Sequence, residues 1–294
     1  MEDKFMQKKI AVINDLSGYG RCSLTVAIPV LSAMGHQCCP VPTAILSSHT
    51  EFPVYFFDDY TEKMTPYTDK WKELGLSFDA IATGFLGSEA QIEIVMDIIR
   101  KLDAEKTFVV VDPVMGDHGH AYETYTPEMC EQMKELVCMA DVVLPNVTEC
   151  CILTDTPYKE ENWTRKELLN MAMMLRLMGA KSVVITGVRE GSYYTNVVLE
   201  QGQYDARFIR TKSSGGERPG TGDVFSSVVA GALLNGKSLS EAVTQAAGFV
   251  KDCIKVSDEE QIPHANGVCF EKILGKLIKI VLRLHLTDRS MYAL

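Results

Sequence analysis

The 294-residue chain contains no C-x-x-C, no block of Lys and Arg, no run of about 18 apolar residues and no Gly/Ser/Pro-rich linker. Each absence excludes a class. The nine cysteines (Cys22, Cys38, Cys39, Cys130, Cys138, Cys150, Cys151, Cys253 and Cys269) are odd in number and include two adjacent pairs, which argues against a disulfide framework or zinc ribbon. Free thiols in a reducing cytoplasm are the expectation. Lys plus Arg total 29 against 39 for Asp plus Glu, a net charge of −10, so no basic stripe tracks a phosphate backbone and nucleic acid is excluded as a partner. Residues 1–9 carry both charge signs and no signal-peptide core, and no spanning segment follows, so no membrane association is expected. With 46% hydrophobic and 23% charged residues the balance is that of a globular protein. Without a repeat or linker, residues 1–294 read as a single domain.

What is present is alternation. Residues 10–13, 41–45, 81–83 and 108–111 read as strands, and 24–34 and 88–102 as helices. Ile92, Val95, Ile98, Ile99 and Leu102 form a helical stripe that feeds the fully apolar run 108–111, typical of a strand buried on both faces. Residues 129–137, 142–144, 165–178 and 182–185 continue as helix, strand, helix, strand. The pattern predicts an α/β fold, a single doubly wound and mostly parallel sheet flanked by helices. A small antiparallel strand pair is expected at 193–199 and 206–209, turning at Gln201-Gly202. Phe52, Tyr55, Phe56 and Phe57 sit outside any helical period in the segment 47–59, which reads as a lid or arm. Helices follow from 224 onward, ending in a basic amphipathic stretch, 270–286, with Lys272, Lys276, Lys279 and Arg283 expected to dock on the body.

Gly18-Tyr-Gly20 follows the first strand, but Ser23 stands where a dinucleotide fingerprint has its third glycine, and no acidic residue closes the second strand. Gly231 to Ser238 matches the Walker A pattern letter for letter, yet it begins inside a helical run, and Asn235-Gly236 reads as a helix stop. In Arg218-Pro-Gly-Thr-Gly-Asp223, Gly220, Thr221 and Gly222 present successive N–H groups at a helix start, an anion hole, beside the carboxylate of Asp223. Such a carboxylate either takes a proton from an attacking hydroxyl or caps the helix. Asp112-Pro-Val-Met-Gly-Asp117 and Asn146-Val-Thr-Glu149 each follow a strand, at the edge where open α/β sheets bind ligands. Carboxylates and an amide gathered there suit hydrated Mg²⁺ and a nucleoside triphosphate. Their convergence favours phosphoryl transfer. His118 and His120 lie in a glycine-containing loop without zinc-ligand spacing and read as lid residues.

These motifs together resemble the pyridoxal kinase family of the ribokinase-like superfamily over nearly the whole chain. The segment from Val41 to Thr50 (V-P-T-A-I-L-S-S-H-T) is similar to the family's substrate segment, and that from Thr83 to Ser88 (T-G-F-L-G-S) to its aromatic pocket segment. D-P-V-M-G-D, N-x-x-E and G-T-G-D match its signature, magnesium and anion-hole motifs. The resemblance implies ATP-dependent phosphorylation of the 5′-hydroxymethyl of a B6 vitamer, with Asp223 as base and Gly220, Thr221 and Gly222 neutralising the transferring phosphoryl. It implies Mg²⁺ at Asp112 and Glu149, nucleotide contacts at Asp112, Asp117, Asn146, Glu149 and Thr186, and vitamer contacts at Thr43, Thr50 and Phe85. It further implies a flap at 118–122, a possible need for K⁺ and a homodimer. Asp15 departs from the family's usual Ser. The run Asp15-Leu-Ser-Gly resembles instead the segment of hydroxymethylpyrimidine kinases, which makes that activity the alternative and Asp15 a candidate contact to the substrate ring.

Overall fold

The computed structural model describes residues 7–102 and 107–278. The first strand, β1 (Lys9–Ser17), shows why the sheet is covered on both faces. Ile10 and Val12 bury into one core and Ala11 and Ile13 into the other. Its parallel neighbours are β2 (Gln37–Leu46) and β4 (Ala80–Thr83), with β3 (Phe57–Asp59) added antiparallel outside β2. Parallel pairing continues from β4 through β5 (Phe108–Val111) and β8 (Val142–Val143) to β9 (Ser182–Glu190). Strands β10 (Tyr193–Leu199) and β11 (Arg207–Lys212) close that edge antiparallel, giving the order β11-β10-β9-β8-β5-β4-β1-β2-β3. A separate two-stranded ribbon pairs β6 (Gly116–Asp117) with β7 (His120–Ala121).

Helices α1 (Ser23–Ala33), α7 (Thr221–Leu234) and α8 (Leu239–Glu259) cover one face. The other face carries α2 (Thr61–Glu73), α3 (Glu89–Lys101), α4 (Pro127–Val137), α5 (Val147–Leu153) and α6 (Arg165–Met178). Local chemistry sets their ends. Ser88 and Thr126 accept a first-turn N–H at the starts of α3 and α4, and reciprocal capping boxes open α5 (Asn146/Glu149), α6 (Thr164/Glu167) and α8 (Ser238/Glu241). Gly179, at φ 140°, stops α6.

The doubly wound sheet expected from the alternation is present, and the expected antiparallel pair is β10 and β11, which β9, running on to Glu190, joins to the main sheet. Two details differ. The segment 47–59 ends in β3, so part of it extends the sheet edge. Of the stretch 270–286, Glu271–Ile273 form a 3₁₀ turn, and 279–286 lie outside the described residues. The Walker-like run is a helix stop. Gly231 is buried in α7 against Met34, Gly236 takes φ 81°, Ser238 caps α8, and Lys237 Nζ bonds Gln245 Oε1 at 2.6 Å. Among the described residues no helix is long and apolar enough to cross a membrane.

Candidate active site

The chain leaves β1 toward β2 on one side and returns to β4 on the other, so the carboxyl ends of β1 and β4 form the topological switch point at which such sheets bind ligands. Asn14 and Asp15 lie there in the second half of β1, where its pairing with β2 is irregular and that with β4 has ended, and Gly84 and Phe85 follow β4. The start of α7 is brought against them from above. Asp223, in the first turn of α7, does not cap its own helix. It accepts a hydrogen bond from Asn14 Nδ2 at 3.1 Å and another from the Ser23 amide at the start of α1. Burial, with Asp15 nearby, pushes its carboxyl up to about 6, and the donors from Ser23 and Asn14 limit the rise. A carboxylate with that affinity for protons is ionised at neutral pH and basic enough to accept one from an attacking hydroxyl.

Beside it, the N–H groups of Thr221, Gly222 and Asp223 meet no acceptor among the described residues, because the capping residue is Gly220 and offers no side chain. Gly220 has φ 75°, and a Cβ there would lie 1.7 Å from the Arg21 carbonyl oxygen. Only glycine lets the α1 and α7 starts approach this closely. Arg21 and Arg218 do not point their charge into the hole. Arg21 bonds Glu271 and the Asn266 carbonyl, and Arg218 bonds Asp258 and the Ile262 carbonyl.

The expected ring contacts divide. Thr43 is fully buried and donates to the Phe85 carbonyl at 3.0 Å, and Asp15 is buried with Ser17 Oγ donating to it at 2.8 Å. Burial pushes the Asp15 carboxyl above its usual range, against the Ser23 and Ser17 hydroxyls. Thr50 is exposed on the loop after β2 and takes no part in this network. Its neighbour His49 stacks near Phe52, and its Nε2 bonds the Ala265 carbonyl at 2.6 Å.

The second acidic group lies at the ends of β5 and β8. Burial and the adjacent Asp223 push Asp112 up to about 8, offset by the Ser226 hydroxyl. Burial, then Asp112, raises Glu149 well above the carboxylate range. Both Glu149 oxygens are engaged, Oε1 by the Met115 amide at 3.2 Å and Oε2 by the Asn146 amide at 2.7 Å. Asn146 Nδ2 donates to the Gly116 carbonyl, tying the start of α5 to the β6–β7 ribbon, and Thr186 bridges to Asn146 from β9. Asp117 is exposed on the ribbon, with His118 Nε2 3.8 Å from its carboxylate and 3.4 Å from that of Glu217. Among the described residues no three His, Cys, Asp or Glu side chains gather as a metal cage. Two crowded carboxyls with no ion pair among the described residues nonetheless suit a cation that keeps its waters and takes further ligands from a bound polyphosphate.

A cavity of about 410 Å³ is lined by Glu217 together with Arg189, Gly191, Tyr194, Ser213 and Gly215. It lies between the β9–β10 turn and the loop leading to the anion hole. Sequence reasoning missed this cavity and Asn14. A polar residue closing the apolar run Ile10 to Ile13 was the available signal for Asn14.

The phosphomethylpyrimidine kinase family model matches residues 28–269. A Bacteroides thetaiotaomicron protein crystallised with pyridoxal, and carrying the name phosphomethylpyrimidine kinase, superposes with a TM-score of 0.87 at 40% identity, covering 92% of this chain and 96% of that one. The pyridoxine kinase of Bacillus subtilis is 27% identical over 260 residues, 86% of this chain and 85% of that one. The hydroxymethylpyrimidine/phosphomethylpyrimidine kinase of Aquifex aeolicus is 32% identical over 174 residues, 58% of this chain and 66% of that one.

Proposed function

From the premise that the chain belongs to the phosphomethylpyrimidine kinase family, a ribokinase-like group of ATP-using kinases with pyridoxal kinases among its close relatives, we propose that it phosphorylates the 5′-hydroxymethyl of a B6 vitamer. The observation that carries this is Asp223, set by Asn14 and Ser23 beside three unpaired helix-start amides at the switch point. In this reading Asp223 accepts the hydroxyl proton as the oxygen forms its bond to the γ-phosphorus. The bond from that phosphorus to the β,γ-bridging oxygen breaks, and ADP leaves. The amides of Gly220, Thr221 and Gly222, with that of Asp223 behind them, receive the charge on the transferring group, so catalysis is positioning plus electrostatics. Asp112 would hold Mg²⁺, with Glu149 reaching it through water. That ion, when bound, screens the phosphates from the surrounding carboxylates. Asn146 and Thr186 hold the phosphate end of the nucleotide, Asp117 and the ribbon cover it, and the cavity lined by Glu217 takes its base and ribose.

Phe85 faces the vitamer ring, with Thr43 holding it through the Phe85 carbonyl, and Asp15 contacts the ring nitrogen or hydroxyl; the exposed Thr50, expected beside them, is not drawn in. The vitamer stands ahead of hydroxymethylpyrimidine because the S-S-H-T and D-P-V-M-G-D segments follow the pyridoxal kinase pattern and a 40%-identical relative crystallised with pyridoxal. Asp15-Leu-Ser-Gly and the Aquifex relative favour the second reading. An ATP-coupled assay with pyridoxal, pyridoxine, pyridoxamine and hydroxymethylpyrimidine separates them. A higher kcat/KM for hydroxymethylpyrimidine than for every vitamer overturns the vitamer assignment. Omitting K⁺ from the same assay and measuring mass by light scattering test the monovalent-ion requirement and the homodimer.

A further inference from the structure

A base in phosphoryl transfer must be held at a fixed place relative to the ring whose hydroxyl it serves, and one side chain bonds both that base and the main chain of Phe85, a residue of the proposed ring site. Asn14, in the second half of β1, is 5% exposed. Its Oδ1 accepts the Asp15 amide at 2.9 Å and the Phe85 amide at 2.9 Å, and its Nδ2 donates to Asp223 Oδ1 at 3.1 Å. Both ends of the amide are committed. Reversing it would set the NH₂ against two N–H donors, so the nitrogen is the end that faces Asp223. Phe85 is also held at the following peptide, since its carbonyl accepts Thr43 Oγ1. Hydrogen bonds therefore link Thr43, the main chain of Phe85, Asn14 and Asp223 in series. Gly84 leaves the room for it, because a Cβ there would sit 2.4 Å from Asn14 Nδ2.

We propose that Asn14 is a positioning residue, whose amide fixes the Asp223 carboxylate against the segment carrying Phe85 and so sets the base relative to the bound ring. This rests on the phosphoryl-transfer reading with Asp223 as base. Asn14 touches neither phosphate nor ring in this role. It acts through the carboxylate.

Asn14→Asp is close to isosteric and still accepts both backbone N–H groups, while a carboxyl replaces the amide donor facing Asp223, and circular dichroism checks that the variant is folded. Single-turnover and steady-state assays should show kcat falling roughly 10- to 100-fold with both KM values within about threefold of wild type. In an Asp223→Asn background the same substitution should cost less than about threefold, because residues acting through one another are not additive. Gly84→Ala, which displaces the amide from the opposite side, should lower kcat in the same way and likewise lose its effect in Asp223→Asn. An unchanged kcat in Asn14→Asp overturns the assignment. So does an equal loss in both backgrounds, or a loss confined to KM and Tm. A wild-type protein inactive with ATP and every ring substrate would instead overturn the function on which the inference rests.

Discussion

Asp223 is held under two opposing demands. Burial beside Asp15 disfavours its charge, while the Ser23 amide and Asn14 support it, and the balance leaves its carboxyl at about 6. The base is active only when ionised, so with saturating Mg²⁺ keeping Asp112 ionised kcat/KM should be flat above that value and fall about tenfold per pH unit below it. A pH–rate profile with a single acid limb near 6 checks this. A limb near 4 would mean that the carboxyl is not buried as described. Asp15 invites a second test. If its carboxyl bonds a ring nitrogen or hydroxyl, Asp15→Asn should raise KM for the best substrate about fivefold to tenfold and leave KM for ATP unchanged. A lowered Tm with an unaltered ranking of substrates would instead assign Asp15 to the turn that Ser17 closes. Asp223 was legible in the sequence because G-T-G-D is local. Asn14 was not, because its meaning comes from residues 85 and 223, which only the fold brings to it.

The start of α7 shows how an element acquires chemistry. A side-chain cap would satisfy its first amides, and the glycine at 220 leaves them open. Gly220→Ala should therefore lose at least about 10²-fold in kcat/KM, because the Cβ that would lie 1.7 Å from the Arg21 carbonyl must push the helix start away from the site. Assay alongside circular dichroism checks this, and near-normal turnover in the folded variant would contradict the close approach. Elements with local punctuation were read well. The helix expected at 165–178 is α6 as observed, bounded by the Thr164/Glu167 box and Gly179. Helix α2 went unread because it contains Pro66 and buries only Met64 and Thr68, too little to give a period. The end of β9 was underestimated because its last residues are held by β10, a partner that periodicity does not reveal.

Across the whole molecule, a sheet buried on both faces fixes where its strand ends meet, and Asp15, Asp112, Glu149 and Asp223 converge there at a cost to stability. The sign follows from the raised carboxyl of Asp223. Protonation is easier in the folded chain than in the unfolded one, so the folded state is favoured by this group below about pH 4. That contribution is lost as the pH rises through about 6. Asp223→Asn should then raise Tm at pH 7.5 by about 2 °C or more while lowering kcat roughly 10²–10⁴-fold, and leave Tm nearly unchanged at pH 4. Differential scanning calorimetry at the two pH values checks it, and a lowered Tm at pH 7.5 would show that the carboxylate is stabilising where it sits.

The most direct test is the rate of pyridoxal 5′-phosphate formation from pyridoxal and MgATP, followed by mass spectrometry for the wild type and for Asp223→Asn. The account predicts phosphorylated product in step with ADP for the wild type, and a kcat lower by roughly 10²–10⁴-fold in the variant with KM for ATP preserved. Equal turnover by the two proteins, or ADP formed by the wild type without phosphorylated vitamer, would contradict it.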